Sequence, residues 1–385
     1  MSMPEVVELT RDLVRIKSEN PGNGESEIAL FVAQWLKRNG VPEVQVDEAS
    51  PGRPNVIARI PGDPSLPPLA LIAHMDTVPA GEGWTVDPFG GDIIDGKLYG
   101  RGAADMKGGL AASMVAAKNI ANSARGLKRT LLMCGTADEE GTHMLGAVDL
   151  VQKGIINEDT LVIAPECTGM NIIICHKGVM WFELTAKGKM SHAGTPEVGV
   201  DAIYGIAELV REVKNKIEEL TYRHDLLGKP TVTFGVIRGG LKTNVVPDRC
   251  AVEIDVRAVP PMTVKSVTEL LRKVANRAPE LVPGLSATVR QINIDRPPVE
   301  SAPSSPVLQV LLGAYTSIMN EEAGLHGFRV YTDASIISHL TGNKDAFVFG
   351  PGAIEQAHTA DEYVETSQLL AAERILTKTV EMLCL

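Results

Sequence analysis

Short apolar runs, VQV, NVIARI, LALIA, TLLMCGT, LVIA and NIIIC, punctuate the first 175 residues, and several are separated by stretches with apolar positions at helical spacing. Runs of this length between turn residues read as buried strands, whereas recurrence at i, i+3, i+4 and i+7 reads as helix. A helix is predicted over 24–39, ending at Gly40, because glycine accepts the left-handed turn that closes many helices. A second is predicted over 107–121. Its small residues, GGLAASMVAAKNIA, suit a helix lying close on a sheet. The alternation predicts an α/β fold whose mixed, mainly parallel sheet is covered by helices on both faces.

The pattern changes over 177–294. A strand (VMWFELTAKG) is followed by a helix over 202–220, two strands (TVTFGVIRG and RCAVEIDVRAV), a helix over 264–277 and a strand (LSATVRQINI). The strict alternation in CAVEIDVRAV marks a half-buried strand, and βαββαβ order suits a small ferredoxin-like sheet with both helices on one face. A helix over 306–321, the strand AFVFG and a long helix from about 367 resume the first style. The reading is one domain from 1–176 and 295–385, interrupted by a second at 177–294.

Bulk properties narrow the function classes. The 385 residues carry 37 Lys and Arg against 48 Asp and Glu, a net charge of −11, with no dense basic run. Nucleic acid and anionic membrane are therefore poor partners. No apolar run approaches the ~20 residues that span a bilayer, and the opening MSMPEVVELTRDLVRIKSE lacks the basic and apolar regions of a secretory signal. A cytoplasmic protein is expected. Five scattered cysteines without a CxxC pair fit reduced thiols better than a disulfide frame or zinc knuckle.

Chemistry concentrates at the predicted strand ends: HMD at 74–76, GRGAADMKGG at 100–109, ADEEG at 137–141, APEC at 164–167 and GPGAIEQAHTADEY at 350–363. Parallel strands deliver their C-terminal loops to one sheet edge, so these residues can converge there. Together they offer two imidazoles, several carboxylates and no convincing thiolate. That donor set suits catalytic zinc, cobalt or manganese rather than a structural cysteine site. Two metals need a bridging carboxylate, and Asp105, in a glycine-rich loop, is the natural one. Glu139 and Glu140 would point apart on an extended backbone, leaving one to ligate and one to face a water.

These stretches, with KMSHAGTPEVGVDAI and GGLKTNVVPD from the interrupting domain, resemble the ordered signature series of the dinuclear-zinc M20 metallopeptidases and amidohydrolases. The resemblance runs over essentially the whole chain. It implies a zinc-exopeptidase-like catalytic domain with an inserted dimerisation or lid domain, and two divalent metal ions. His74, Asp105 and Glu166 would hold one ion, and Asp105, Glu140 and His358 the other. Asp76 would orient the His74 ring through its second nitrogen, and Glu139 would be the general base. A non-proline cis peptide is implied at Asp105-Met106. His192 would reach across a homodimer to stabilise an oxyanion. Asn244, Arg257, Thr332 and Lys177 would hold substrate. Read without the resemblance, His192 could equally cap a helix, Arg257 join a cross-strand ion pair and Asn244 form a turn.

The reaction implied is hydrolysis of the amide bond of an N-acyl-L-amino acid, of the acetylornithine deacetylase or succinyl-diaminopimelate desuccinylase type. The alternatives are a carboxypeptidase or dipeptidase using the same machinery and, more remotely, a non-catalytic metal-binding scaffold. The chain departs from the desuccinylase pattern at two places: Tyr331 stands where a paired-glycine loop precedes the threonine, and Lys177 stands in place of an arginine-rich turn.

Overall fold

The computed structural model describes residues 3–22, 24–123 and 125–385. The chain divides into two compact units: Met1–Ile174, Glu300–His326 and Thr332–Leu385 form the first, and Cys175–Val299 with Gly327–Tyr331 form the second.

The apolar runs form the strands β1 (Glu43–Ser50), β2 (Arg53–Ile60), β3 (Leu69–His74), β4 (Leu131–Thr136), β5 (Leu161–Ala164) and β6 (Ile172–His176). The second unit contributes β7 (Gly178–Lys187), β8 (Thr231–Gly239), β9 (Arg249–Ala258) and β10 (Ser286–Gln291), and β11 (Ala346–Val348) returns to the first. Seven of the nine strands of the large sheet run β1-β2-β4-β3-β5-β11-β6. Its four central strands, β4, β3, β5 and β11, are mutually parallel. The strands beyond them, β2 and β1 on one side and β6 on the other, pair antiparallel. All six residues of β3 are buried, as expected of a parallel strand covered on both faces.

Helix Gly108–Ala121 carries the small residues singled out above, and eleven of its fourteen positions are buried. Gly109 explains why: a Cβ there would collide with the Pro165 carbonyl at the end of β5. Helix Thr366–Cys384 packs against this helix and against Pro306–Met319. Helices Glu5–Val14, Leu145–Gln152, Ala278–Leu281 and Asp333–Thr341 add to those the pattern predicts. A small antiparallel sheet joins Tyr363–Glu365, Lys97–Tyr99 and Ile93–Ile94.

In the second unit the order is β7, helix Ala202–Glu218, β8, β9, helix Val264–Asn276, β10. The sheet runs β8-β9-β7-β10, antiparallel throughout. This is the ferredoxin-like arrangement. Alternate residues of β9, Cys250, Val252, Ile254, Val256 and Ala258, are buried, and the helices offer Ile206, Leu209 and Val213 and Val267, Leu271 and Val274. Asp201 caps the first helix by accepting from the N–H groups of Ile203 and Tyr204, and Thr263 with Ser266 forms a capping box on the second.

Candidate metal centre

Because β4, β3, β5 and β11 run parallel, their C-terminal ends open on one edge of the sheet, where open α/β sheets bind ligands. His74 is the last residue of β3. Glu166 lies two residues beyond β5, and the Glu139-Glu140 pair follows β4. His358 lies in the long connection after β11. Asp105 comes from the irregular turn that introduces helix Gly108–Ala121, and its bond to Met106 is cis. The Met106 sulfur accepts from the backbone N–H of His74 at 3.2 Å, which ties this turn to the end of β3.

Two donor groups result. His74, Asp105 and Glu166 each offer an atom within 4.8 Å of the others, and so do Asp105, Glu140 and His358. His74 Nε2 lies 3.1 Å from Asp105 Oδ1 and 3.8 Å from Glu166 Oε2. His358 Nε2 lies 3.0 Å from Glu140 Oε1 and 3.4 Å from Asp105 Oδ2. Asp105 thus turns one oxygen toward each group, the disposition a bridging carboxylate requires.

The charges are poorly matched by the protein alone. Burial disfavours an imidazolium at His74, but Glu166, Asp105 and Asp76 outweigh burial and raise its pKa well above the usual value. Burial also opposes ionisation of Asp105, yet hydrogen bonds from His358 and His74 hold its carboxyl well below the ordinary range. Glu139 and Glu166 are pushed far up, first by burial and further by neighbouring carboxylates, against the opposing pull of His74. Glu140 is raised by burial and by Asp105. Hydrogen bonds to Asp105 and Glu140 take His358 up to about 10. Crowded carboxylates facing imidazole nitrogens are the setting that divalent cations resolve, since a cation favours ionised carboxylates and neutral imidazoles. The mixed nitrogen and oxygen donors fit two such ions.

Glu139 stays out of both donor groups, but not through strand alternation. Residues 139 and 140 occupy a turn, not extended backbone. Asp138 enters the left-handed region at φ 62°, which aspartate tolerates better than most residues. The turn presents its backbone N–H groups inward. Asp76 Oδ1 accepts from Glu139 N and Oδ2 from Glu140 N, both at 3.2 Å. Glu25 accepts from Asp138 N at 2.7 Å.

The role expected of Asp76 is therefore divided. His74 Nδ1 faces the main-chain carbonyl of Asp76 at 2.9 Å, while the nearest carboxylate oxygen is 3.6 Å away. The carbonyl orients the ring, and the carboxylate braces the glutamate turn. Behind that turn, Asn20 donates to Asp76 and Asp138, and Arg53 binds Glu25 at 2.6 Å and Asp138 at 3.3 Å. Burial, with repulsion from Asp76, raises the Glu25 carboxyl to about 7. At the end of β4 the Thr136 hydroxyl donates to Asp333, a buried carboxylate whose charge bears on Glu139 and Glu166. None of Asn20, Glu25, Arg53 or Asp333 carries a local sequence signal of this use.

Thr332 lies in the first unit, buried, as the cap of helix Asp333–Thr341 in a reciprocal pairing with Ser335. The other predicted site residues belong to the second unit. His192 is exposed, its Nδ1 accepting from Gly194 N at 2.9 Å, and it pairs with Val245 across a two-residue ribbon. Asn244 immediately precedes that partner, and its carbonyl accepts from Ala193 N, so the ribbon brings His192 and Asn244 together. The Arg257 guanidinium grips Asp255, two residues away on its own strand and not across the sheet, and donates to the Arg329 carbonyl. Lys177 is buried, donates to the Lys229 carbonyl, and has its pKa lowered by burial and by Arg329 and Arg257. Cys167, next to Glu166, is a buried thiol pushed far up by burial and by Asp105, so it is no thiolate donor.

The model of the peptidase family M20/M25/M40 matches residues 70–382. Among solved structures, a tripeptidase from Staphylococcus aureus superposes with a TM-score of 0.82 at 23% identity, over 98% of both chains. An M20 family metallo-carboxypeptidase from Sulfolobus solfataricus gives 0.82 at 19% identity, over 99% of both. A dinuclear metal binding peptidase of the M20 family from Bacillus subtilis gives 0.71 at 19% identity, over 98% of this chain and 97% of that one. At these identities the superpositions establish the fold.

Proposed function

The chain belongs to the peptidase family M20/M25/M40, hydrolases of peptide and amide bonds, and from that premise we propose that it cleaves the amide bond of an N-acyl-L-amino acid to a carboxylate and the free amino acid. The observation that carries the reading is the pair of three-residue donor groups sharing Asp105, with Glu139 beside them but in neither. His74, Asp105 and Glu166 would hold one divalent cation and Asp105, Glu140 and His358 a second, with zinc the ion best suited to these donors. When bound, such ions supply Lewis acidity toward a water and the acyl carbonyl.

The remaining steps belong to protein groups. Glu139 accepts the proton of the attacking water, holds it on its carboxyl and delivers it to the leaving nitrogen, so that the amine departs neutral. Burial of Glu139 favours a carboxyl able to carry that proton. Asp76 and Glu25 keep the turn bearing Glu139 in place through its three N–H groups. His192, donated by the second unit of a partner copy in a homodimer, stabilises the oxyanion. Asn244, Arg257, Thr332 and Lys177 form the set for the acyl oxygen and substrate carboxylate; a guanidinium fork suits the latter, after exchanging Asp255 for substrate.

A second reading, an exopeptidase acting on short peptides, is favoured by the tripeptidase and carboxypeptidase among the similar structures. A hydrolysis panel of N-acetyl-ornithine, N-succinyl-diaminopimelate, other N-acyl amino acids, dipeptides and tripeptides, run with zinc-loaded protein, separates the two. Turnover confined to the peptides would remove the deacylase reading.

A further inference from the structure

The ligands differ in how they are held. His74 ends a central strand, paired there with Thr136, and Glu166 lies two residues beyond the end of another. Asp105 and His358 ride on irregular segments separated by some 250 residues of chain. One side chain connects those segments. Glu362, wholly buried and four residues after His358, reaches into the turn before Asp105. Its Oε2 accepts from Arg101 Nη1 at 2.6 Å and from Gly102 N at 3.1 Å. Its Oε1 accepts from Ala104 N at 2.9 Å and from Asp105 N at 3.0 Å.

Three backbone donors and a guanidinium therefore converge on one carboxylate, as turns of this kind converge on a bound anion. The backbone is shaped for it: Gly102 sits at φ 83°, and a Cβ there would press on Thr77 and Lys107. Arg101 is anchored in turn by the Ala80 carbonyl at 3.1 Å and the Trp84 ring. The main chain adds a further link, Gly100 N to the Glu362 carbonyl at 2.9 Å. The Asp105 N–H is itself one of the four donors, so the position of the bridging residue is set directly.

We propose that Glu362 is a positioning residue of the metal centre: it locks the Asp105 turn to the His358 segment and thereby sets the affinity of the Asp105-Glu140-His358 group. The inference rests on the metal reading of the previous subsection. The His74-Asp105-Glu166 group keeps one residue in a central strand and one just beyond the end of another, and depends on the clamp less.

The test is stepwise zinc titration of the metal-stripped full chain against a chromophoric chelator, for the wild type and for Glu362→Gln. The amide keeps the size of the side chain but turns an NH2 group toward N–H or guanidinium donors. The second zinc is expected to bind roughly 10- to 100-fold more weakly in the variant, the usual effect of losing a ligand's supporting partner, with the first step little changed. Should Glu362→Gln not accumulate as folded protein, Arg101→Met, which leaves the carboxylate in place, is read in the same titration and should weaken the same step. Unchanged constants for both steps in a folded variant would overturn the proposal. Equal weakening of both steps would also overturn it, because that is the signature of a general packing role. A wild-type chain that takes up no zinc would overturn the metal reading instead.

Discussion

Replacing Asp76 with asparagine separates two functions that one residue performs here. If Asp76 acts by orienting His74, Asp76→Asn should be nearly silent, because His74 Nδ1 faces the main-chain carbonyl at 2.9 Å and any residue supplies that carbonyl. If its carboxylate holds the glutamate turn, the variant must lose a bond. The two oxygens serve three donors: Oδ1 takes Glu139 N, and Oδ2 takes Glu140 N and Asn20 Nδ2. An amide with its oxygen at the Oδ2 position keeps two of them and presents NH2 to Glu139 N. The opposite orientation strands two donors. Leaving one partly buried N–H unpaired costs about 1–3 kcal/mol. If that loss falls wholly on the transition state, the rate drops roughly 5- to 150-fold. With Glu139 as the proposed base, the loss should appear in kcat with KM little altered. The assay is steady-state kinetics on the best substrate of the panel, with zinc content measured in parallel. Wild-type kcat in a fully zinc-loaded Asp76→Asn protein would refute the bracing role.

Glu139→Gln should retain both metal equivalents and lose about 10²- to 10⁴-fold in kcat, the usual contribution of a positioned acid-base group; a variant with wild-type turnover would remove Glu139 as the base. Acid stability should depend on His176. Burial lowers its pKa from 6.5 to about 3, so the neutral ring stabilises the fold fully above pH 6.5 and progressively less as pH falls toward 3. The loss is about 1.4 kcal/mol per pH unit from this group. Urea unfolding of wild type and His176→Leu between pH 7 and 4 should show the wild type losing stability more steeply, and parallel pH dependence would count against burial as the cause.

How much of this was legible in the sequence follows from the range of the interactions. The strands around LALIA, TLLMCGT and LVIA declare themselves because burial in a parallel sheet leaves continuous apolar runs. The ligand candidates follow because each run ends in a histidine or acid. The antiparallel flanking strands were not legible, since direction depends on connections and not on composition. Helix Glu5–Val14 has a regular apolar face, with Val6, Val7, Leu9, Leu13 and Val14 buried. Glu139 and Glu140 diverge because a left-handed Asp138 makes a turn, and nothing in ADEEG distinguishes that from strand. Glu362 stands in the motif beside His358, yet a buried acceptor of four hydrogen bonds and a solvated acid look alike until the Arg101 turn, about 260 residues earlier, is placed against it.

The discontinuity of the first unit bears on the order of its making. β11, the fourth parallel strand, occupies residues 346–348, and His358, Glu362 and the helix that covers Gly108–Ala121 all come later. A chain emerging from the ribosome therefore completes β7 to β10, a contiguous sheet, before His358 and Glu362 have been made. On the proposed metal reading, hydrolytic competence waits until synthesis has passed residue 362. A fragment cut short before residue 358 lacks one member of the Asp105-Glu140-His358 group, so on that reading turnover requires the chain through this segment.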